Sequence, residues 1–271
     1  MPGQRGTGIL QRLRSRAYYI GDDNSHFVFV SADIGMGSDL LKMKVVDAVN
    51  KRLGEGVFTN DNIAISGTHT HSGPAGFLQY TIYQVTSWGF VSETFDTFLD
   101  GIVESIVMAY GNAKEGKILV NQGELEDSNI NRSPTSYLLN PEQERAKYTA
   151  DTDKNMLMLK MIGEDGSDIG SLNWFAVHGT SMNNTNTLVN GDNKGLASYL
   201  IEKDMNNGED ITKVSKPYVA AFAATNLGDV SPNTAGPKCR DTGLPCDGET
   251  SSCNVSDRTD EGVMTLRRTG L

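Results

Sequence analysis

The sequence predicts an α/β fold, a mixed β-sheet with flanking helices. Three observations lead there. Short apolar runs bounded by turn residues recur along the 271 residues, which is the mark of strands. Between them lie longer stretches whose apolar residues repeat at helical spacing behind capping residues. Some strand-like runs follow one another with no helix between, which calls for antiparallel neighbours beside the parallel ones.

In chain order, the first strand is HFVFVSAD (26–33). Ser38 then caps a helix in which Leu41, Val45, Val49 and Leu53 recur, ended by Gly54. The run NIAISG (62–67) is the next strand. Ser92 caps a second helix carrying Phe95, Phe98, Leu99, Ile102, Ile106 and Tyr110, with Gly111 at its end. Strands KILVNQG (117–123), NMLMLKMI (155–162) and GSLNWFAV (170–177) precede a third helix, KGLASYLIEKDM (194–205), and PYVAAFAAT (217–225) is the last strand. No internal repeat or low-complexity linker divides the chain, so it reads as one domain.

Charge narrows the function. The net charge is −10 and no cluster of Lys or Arg exceeds a short pair, so nucleic acid is not an expected partner. No segment approaches eighteen consecutive apolar residues, and MPGQRGTGIL lacks the apolar core of a signal peptide. Cys239, Cys246 and Cys253 fall in one Gly/Pro/Asp/Ser-rich loop, a pattern that fits a disulfide-stapled segment better than a zinc site and leaves one thiol over.

The chemistry concentrates in ISGTHTHSGPAG (65–76). On strand alternation, His69 and His71 point the same way from the end of a strand, where sites of α/β folds sit. Such a pair either binds one ion together or divides the work between a ligand and an acid/base group. His178 ends the apolar run NWFAV, so three of four histidines terminate strands; His26 is given no role. Asp33, Asp192 and Asp229 are the carboxylates at hand for completing a metal site, with nothing in the spacing to choose among them, and Asp33 is also placed to orient a histidine. Ser231, in NLGDVSPN, lies on a strand-to-loop turn as a nucleophile or positioning hydroxyl, and Arg132, in NINRSPTSYLLNP, sits in a polar loop as an anion or carbonyl clamp. Asn131, Asn183 and Asn254 head glycosylation sequons, of which Asn131 adjoins Arg132.

GTHTHSGPAGFLQY, NRSPTSYLLNPEQERAKY, NWFAVHGTSMNNTN, VNGDNKGLASYL and NLGDVSPN, in that order, resemble the neutral ceramidases, the zinc-dependent N-acylsphingosine amidohydrolases. The resemblance runs from about residue 5 to the cysteine loop. It implies that His69 and His178 bind a single zinc ion and that His71 polarises or handles protons beside it. It implies too that Arg132 lines the pocket and that Ser231 is the residue usually assigned as catalytic. The implied substrate is ceramide at a membrane surface, cleaved to sphingosine and a fatty acid, in a secreted or plasma-membrane-associated enzyme.

This chain departs from that pattern. The family's remaining zinc ligands, a glutamate and a tyrosine, and its immunoglobulin-like domain come from beyond this C-terminus. The expectation is therefore a partial, N-terminal catalytic domain over residues 1–256 with a divergent tail at 257–271, truncated relative to the family. Two alternatives follow: a catalytically inactive or lipid-binding remnant, and a different zinc amidase or peptidase completed by Asp192 or Asp229.

Overall fold

The computed structural model describes residues 4–236, together with the backbone pairing of 238–239 and 258–259. Cys246, Cys253 and Asn254 lie outside the described residues, as does the side chain of Cys239. The α/β expectation holds, with two mixed sheets in place of one.

The first sheet contains β1 (Ser15–Gly21), β2 (His26–Ala32) and β3 (Ile63–Gly67). β1 runs antiparallel to β2, and β2 parallel to β3 through the crossover helix α1 (Asp39–Leu53). Sequence reasoning missed β1, because SRAYYIG mixes an arginine into its inward face. Ser38 caps α1 as expected, its Oγ accepting the Leu41 N–H at 3.2 Å, and Gly54 ends it at φ 122°, a conformation that favours glycine. α2 (Ser92–Gly111) departs from expectation: Val91 is its cap residue, while the Ser92 hydroxyl turns to Glu93 at 3.3 Å.

α1 and α2 cover one face of this sheet. Leu41, Val45 and Val49 of α1 and Phe95, Ile102 and Ile106 of α2 bury against Val28, Val30 and Ile63. Each such side chain, fully buried, contributes about 1.5–3 kcal/mol of transfer free energy.

The opposite face packs on the second sheet. That sheet contains β4 (Gly116–Glu124), β5 (Asn155–Gly163), β6 (Asp168–Phe175) and β7 (Val219–Ala224), in the order β7-β6-β5-β4. Only β6 and β7 are parallel. Tyr18 meets Met161, Leu172, Ala221 and Ala223 between the sheets, and its hydroxyl donates to the Ser171 carbonyl at 2.8 Å.

Helix α3 (Asp192–Met205) protects the edge of β7. Ser198 Oγ, Glu202 Oε1 and Asn206 Oδ1 accept the N–H groups of Phe222, Ala220 and Tyr218, at 3.1, 3.3 and 2.9 Å. Four helical residues rise about 6 Å and two strand residues about 6.6 Å, so the two repeats stay in step for three contacts. Glu202 also forks onto Arg16, which donates to Asp33 at 3.2 Å, and this buried group ties β1, the end of β2 and α3 together. Burial opposes the Arg16 charge, yet Asp33 and Glu202 hold its pKa above the ordinary value. Finally, Gly8–Ile9 pairs in parallel with Leu188–Val189.

Candidate metal centre

Both histidine loops leave parallel strands at their C-terminal ends. β3 stops at Gly67 and β6 at Phe175, and the two chains meet again where Thr70 bridges Gly179 and the His71 N–H donates to the Gly179 carbonyl at 3.0 Å. Gly179 is required there, since a Cβ would collide with the His69 carbonyl. His69 itself has φ 64°, a left-handed conformation that costs a non-glycine residue energy and that clusters at functional sites. Strand alternation therefore does not extend through THTH. The rings of His69 and His71 still converge, with centroids 4.8 Å apart, because the backbone reverses hand at His69.

Three imidazoles face one point. His69 Nε2 lies 3.0 Å from His178 Nε2 and 3.3 Å from His71 Nε2, and the three residues form a group whose ligand atoms all lie within 4.8 Å of one another. His69 Nδ1 sits 2.5 Å from the Gly35 carbonyl and His178 Nδ1 2.8 Å from the Leu227 carbonyl. A carbonyl only accepts, so each Nδ1 carries the proton and each Nε2 keeps its lone pair. Two lone pairs 3.0 Å apart repel unless a cation lies between them. Two nitrogens on a tetrahedral zinc ion, each about 2.0–2.1 Å from it, lie about 3.3 Å apart, so the donor set fits one such ion.

His71 differs from the other two. It is exposed, and among the described residues its Nδ1 has no hydrogen-bond partner, so nothing fixes its tautomer. Loss of water around the ring, then His69, His178 and the Arg132 charge, pull its pKa down to about 4. Loss of water and Arg132 pull His178 down to about 4 as well. At neutral pH both rings are uncharged, one as a ready ligand and the other as a free base.

The carboxylates go elsewhere. Asp33 accepts from the Arg14 N–H at 2.9 Å and from Arg16, and it is the Gly35 carbonyl, two residues on, that orients His69. Asp192 accepts the N–H groups of Ser181 and Met182 at 2.9 and 3.0 Å, and Asp229 accepts from Asn131 at 2.9 Å. Among the described residues none of the three joins the histidine group, so the reading in which Asp192 or Asp229 completes a metal site inside this chain is not supported. Asn131 is only 7% exposed, and its amide nitrogen is already committed to Asp151 and Asp229, which disqualifies it as a glycan acceptor.

Ser231 and Arg132 flank the cluster. Ser231 pairs with Ile130, and the Val230 carbonyl before it accepts the His178 N–H at 3.1 Å; its hydroxyl takes the Asn233 N–H at 3.1 Å and no histidine. Arg132 is exposed and braced by the Gly228 carbonyl at 2.8 Å, close enough for its charge to act on two of the histidines. His26 is remote in role, its Nε2 on the Val57 carbonyl at 2.6 Å. Sequence reasoning missed the carbonyl acceptors at Gly35 and Leu227, which carry no side-chain signal, and Asn193 and Lys194, whose side chains bond the carbonyls of His178 and Val177. The Asn-Gly-Asp-Asn cluster ahead of a helix was the available clue to the latter.

The family model described as neutral/alkaline non-lysosomal ceramidase, N-terminal, matches residues 1–265. The chain belongs to that family. It is 48% identical over 255 residues to neutral ceramidase A of Dictyostelium discoideum and 45% identical over 255 residues to the neutral ceramidase of Drosophila melanogaster, in each case over 94% of this chain. It is 39% identical to neutral ceramidase 1 of Arabidopsis thaliana over 92% of its length. Among solved structures, a ceramidase complexed with C2 superposes with a TM-score of 0.79 at 36% identity, covering 89% of this chain. The neutral ceramidase of Pseudomonas aeruginosa superposes with a TM-score of 0.78 at 38% identity, covering 85%. This ceramidase-family chain spans 35% of the Dictyostelium relative, 36% of the Drosophila one and 40% of the Arabidopsis one.

Proposed function

We propose that this chain supplies part of the active centre of a zinc-dependent ceramide amidohydrolase, with His69 and His178 as two of the metal's ligands. The observation that carries this reading is the pair of lone-pair nitrogens 3.0 Å apart, each locked by a carbonyl behind its ring. A zinc ion held there supplies Lewis-acid polarisation of an amide carbonyl.

The chain's own residues divide the remaining work. His71, neutral and without a fixed tautomer, takes a proton at Nε2 from the water that attacks the amide carbonyl and gives it to the leaving amine. Arg132, projecting into solvent beside the cluster, holds the carboxylate of the fatty-acid product. Ser231 carries a hydroxyl on the strand next to His178 and positions the sphingoid end of the substrate.

A lipid substrate accords with the surface near the site. The Val91 N–H closes onto the Gly76 carbonyl at 2.8 Å, so residues 77–90 form an excursion that begins just past His71. It exposes Tyr80, Ile82, Tyr83, Val85, Phe90 and Trp88, the last 93% exposed and held out by a left-handed backbone at φ 63°. Tyr and Trp in this position suit a membrane interface, where one end of the ring is apolar and the other wet. Among the described residues no helix is long and apolar enough to cross a membrane, so contact would be interfacial.

The test is zinc content and fatty-acid release from a short-chain ceramide by a version of this chain extended with the family's C-terminal portion, with His69→Ala and His178→Ala beside it. One zinc per chain, lost in both variants together with activity, is the expected result. Zinc retained by both variants would place the metal elsewhere.

A further inference from the structure

The motif VNGDNKG lies in neither histidine loop, yet its turn touches both. Toward the first loop, the Asn190 carbonyl accepts the Thr70 hydroxyl at 2.8 Å, and the Asn190 N–H donates to the Ser72 carbonyl at 3.1 Å. Toward the second, Asn193 Nδ2 donates to the His178 carbonyl at 2.7 Å and to Ser181 Oγ at 3.0 Å. Lys194 Nζ donates to the Val177 carbonyl. Asp192 gathers the N–H groups of Ser181 and Met182 from a left-handed backbone, φ 54°, and Asn190 Oδ1 takes the Asp192 N–H at 2.9 Å, which makes the turn one rigid piece. Asn190, Asp192 and Lys194 are each 3% exposed.

A buried lysine is costly, and a salt-bridge partner would be the ordinary remedy. Lys194 instead spends its contact on a backbone carbonyl one residue before a metal-ligand candidate. Asn193 holds the carbonyl of that candidate itself. Because Asn190 fixes residues 70–72 from the same turn, any shift of 177–178 against the turn becomes a change in the His69 to His178 separation.

We propose that Asn193 and Lys194 are positioning residues for the metal centre, setting the distance between His69 and His178 by pinning the carbonyls of residues 177 and 178. The proposal rests on the reading of those histidines as metal ligands. It assigns the DNK segment a structural task toward the metal in place of ligation by Asp192. Outer groups that orient metal ligands affect affinity by roughly tenfold or more when removed.

The experiment compares wild type, Asn193→Ala, Lys194→Met and, as a control on the exposed side of the same helix, Lys203→Met. Two quantities are read: cobalt affinity by its visible absorption, and the histidine ring 1H–15N signals of the metal-free protein, which report the His69 to His178 contact. Thermal melting verifies folding. Lys194→Met preserves volume and removes a buried amine, so its melting midpoint stays at or above that of wild type. Its cobalt affinity nevertheless falls about tenfold, with displaced His69 and His178 signals; Asn193→Ala behaves alike and Lys203→Met matches wild type. Wild-type affinity and unmoved ring signals in both variants would overturn the proposal. If wild type itself binds no cobalt, the two histidines do not hold a metal without the ligands that lie outside this chain, and the metal-free ring signals decide the positioning claim: displaced signals support it, unmoved signals overturn it.

Discussion

His69 and His178 come from loops of two different sheets, and their Nε2 atoms meet at 3.0 Å with both Nδ1 atoms held by backbone carbonyls. Removing either ring should remove tight zinc binding. Zinc at a hundredfold excess over its dissociation constant adds about 2.7 kcal/mol to the folded state, which appears as a rise in the melting midpoint. That rise is expected in wild type and absent in His178→Ala; an equal rise in both would exclude His178 as a ligand.

Gly179→Ala tests the crossing of the loops. Its Cβ would drive into the His69 carbonyl, and backbone cannot move aside as a side-chain tip does. Overpacking of this kind costs about 1–3 kcal/mol, read as a lower urea midpoint, and zinc affinity should fall with it. A variant of unchanged stability and affinity would show that the crossing is slack.

Acid should weaken the metal-free fold early. His71 and His178 titrate near 4 when folded, against about 6.5 in an unfolded chain. The unfolded state therefore takes up protons that the folded state refuses, so the stability present above pH about 6.5 is lost as pH falls toward 4. Urea midpoints should drop between pH 7.5 and 5, less so in His178→Gln. A flat profile in wild type would contradict the neutral cluster.

Arg16→Met strips the counter-charge from Asp33 and Glu202, both fully buried beside it. Breaking such a group costs about 3–5 kcal/mol. Equilibrium unfolding should report a loss of that size, and a change under 1 kcal/mol, well below the expected cost, would mean that the two carboxylates take up protons at little expense.

Trp88→Ser addresses the exposed excursion. Binding to phosphatidylcholine vesicles, and hydrolysis of ceramide held in them, should fall several-fold, while release from a dispersed short-chain ceramide stays level. Equal losses on both substrates would place Trp88 in the site itself.

Much of this was legible in the sequence. The capped periodicity of α1 and the strands flanking the helices follow from local pattern, and the three histidines that end apolar runs come together as one group that could hold a metal. Three things were not legible. β1 hides because Arg16 interrupts its inward face, and that arginine makes sense only once Glu202, 186 residues away, is beside it. The division into two sheets depends on Tyr18 and Phe29 facing a partner sheet, which alternation cannot name. The roles within THTH depend on backbone carbonyls at Gly35 and Leu227, which every residue type carries alike.

The parallel pairing of Gly8–Ile9 with Leu188–Val189 has a consequence for synthesis. A ribosome adding about 5–20 residues per second needs roughly 10–40 s to travel from the first partner to the second. Throughout that interval Ile9 waits for its partner strand, and the histidine loops have no shared turn to hang on. Until residue 188 emerges the two histidine loops cannot be tied to one turn, and a chaperone that shields the early apolar strands has that long to act.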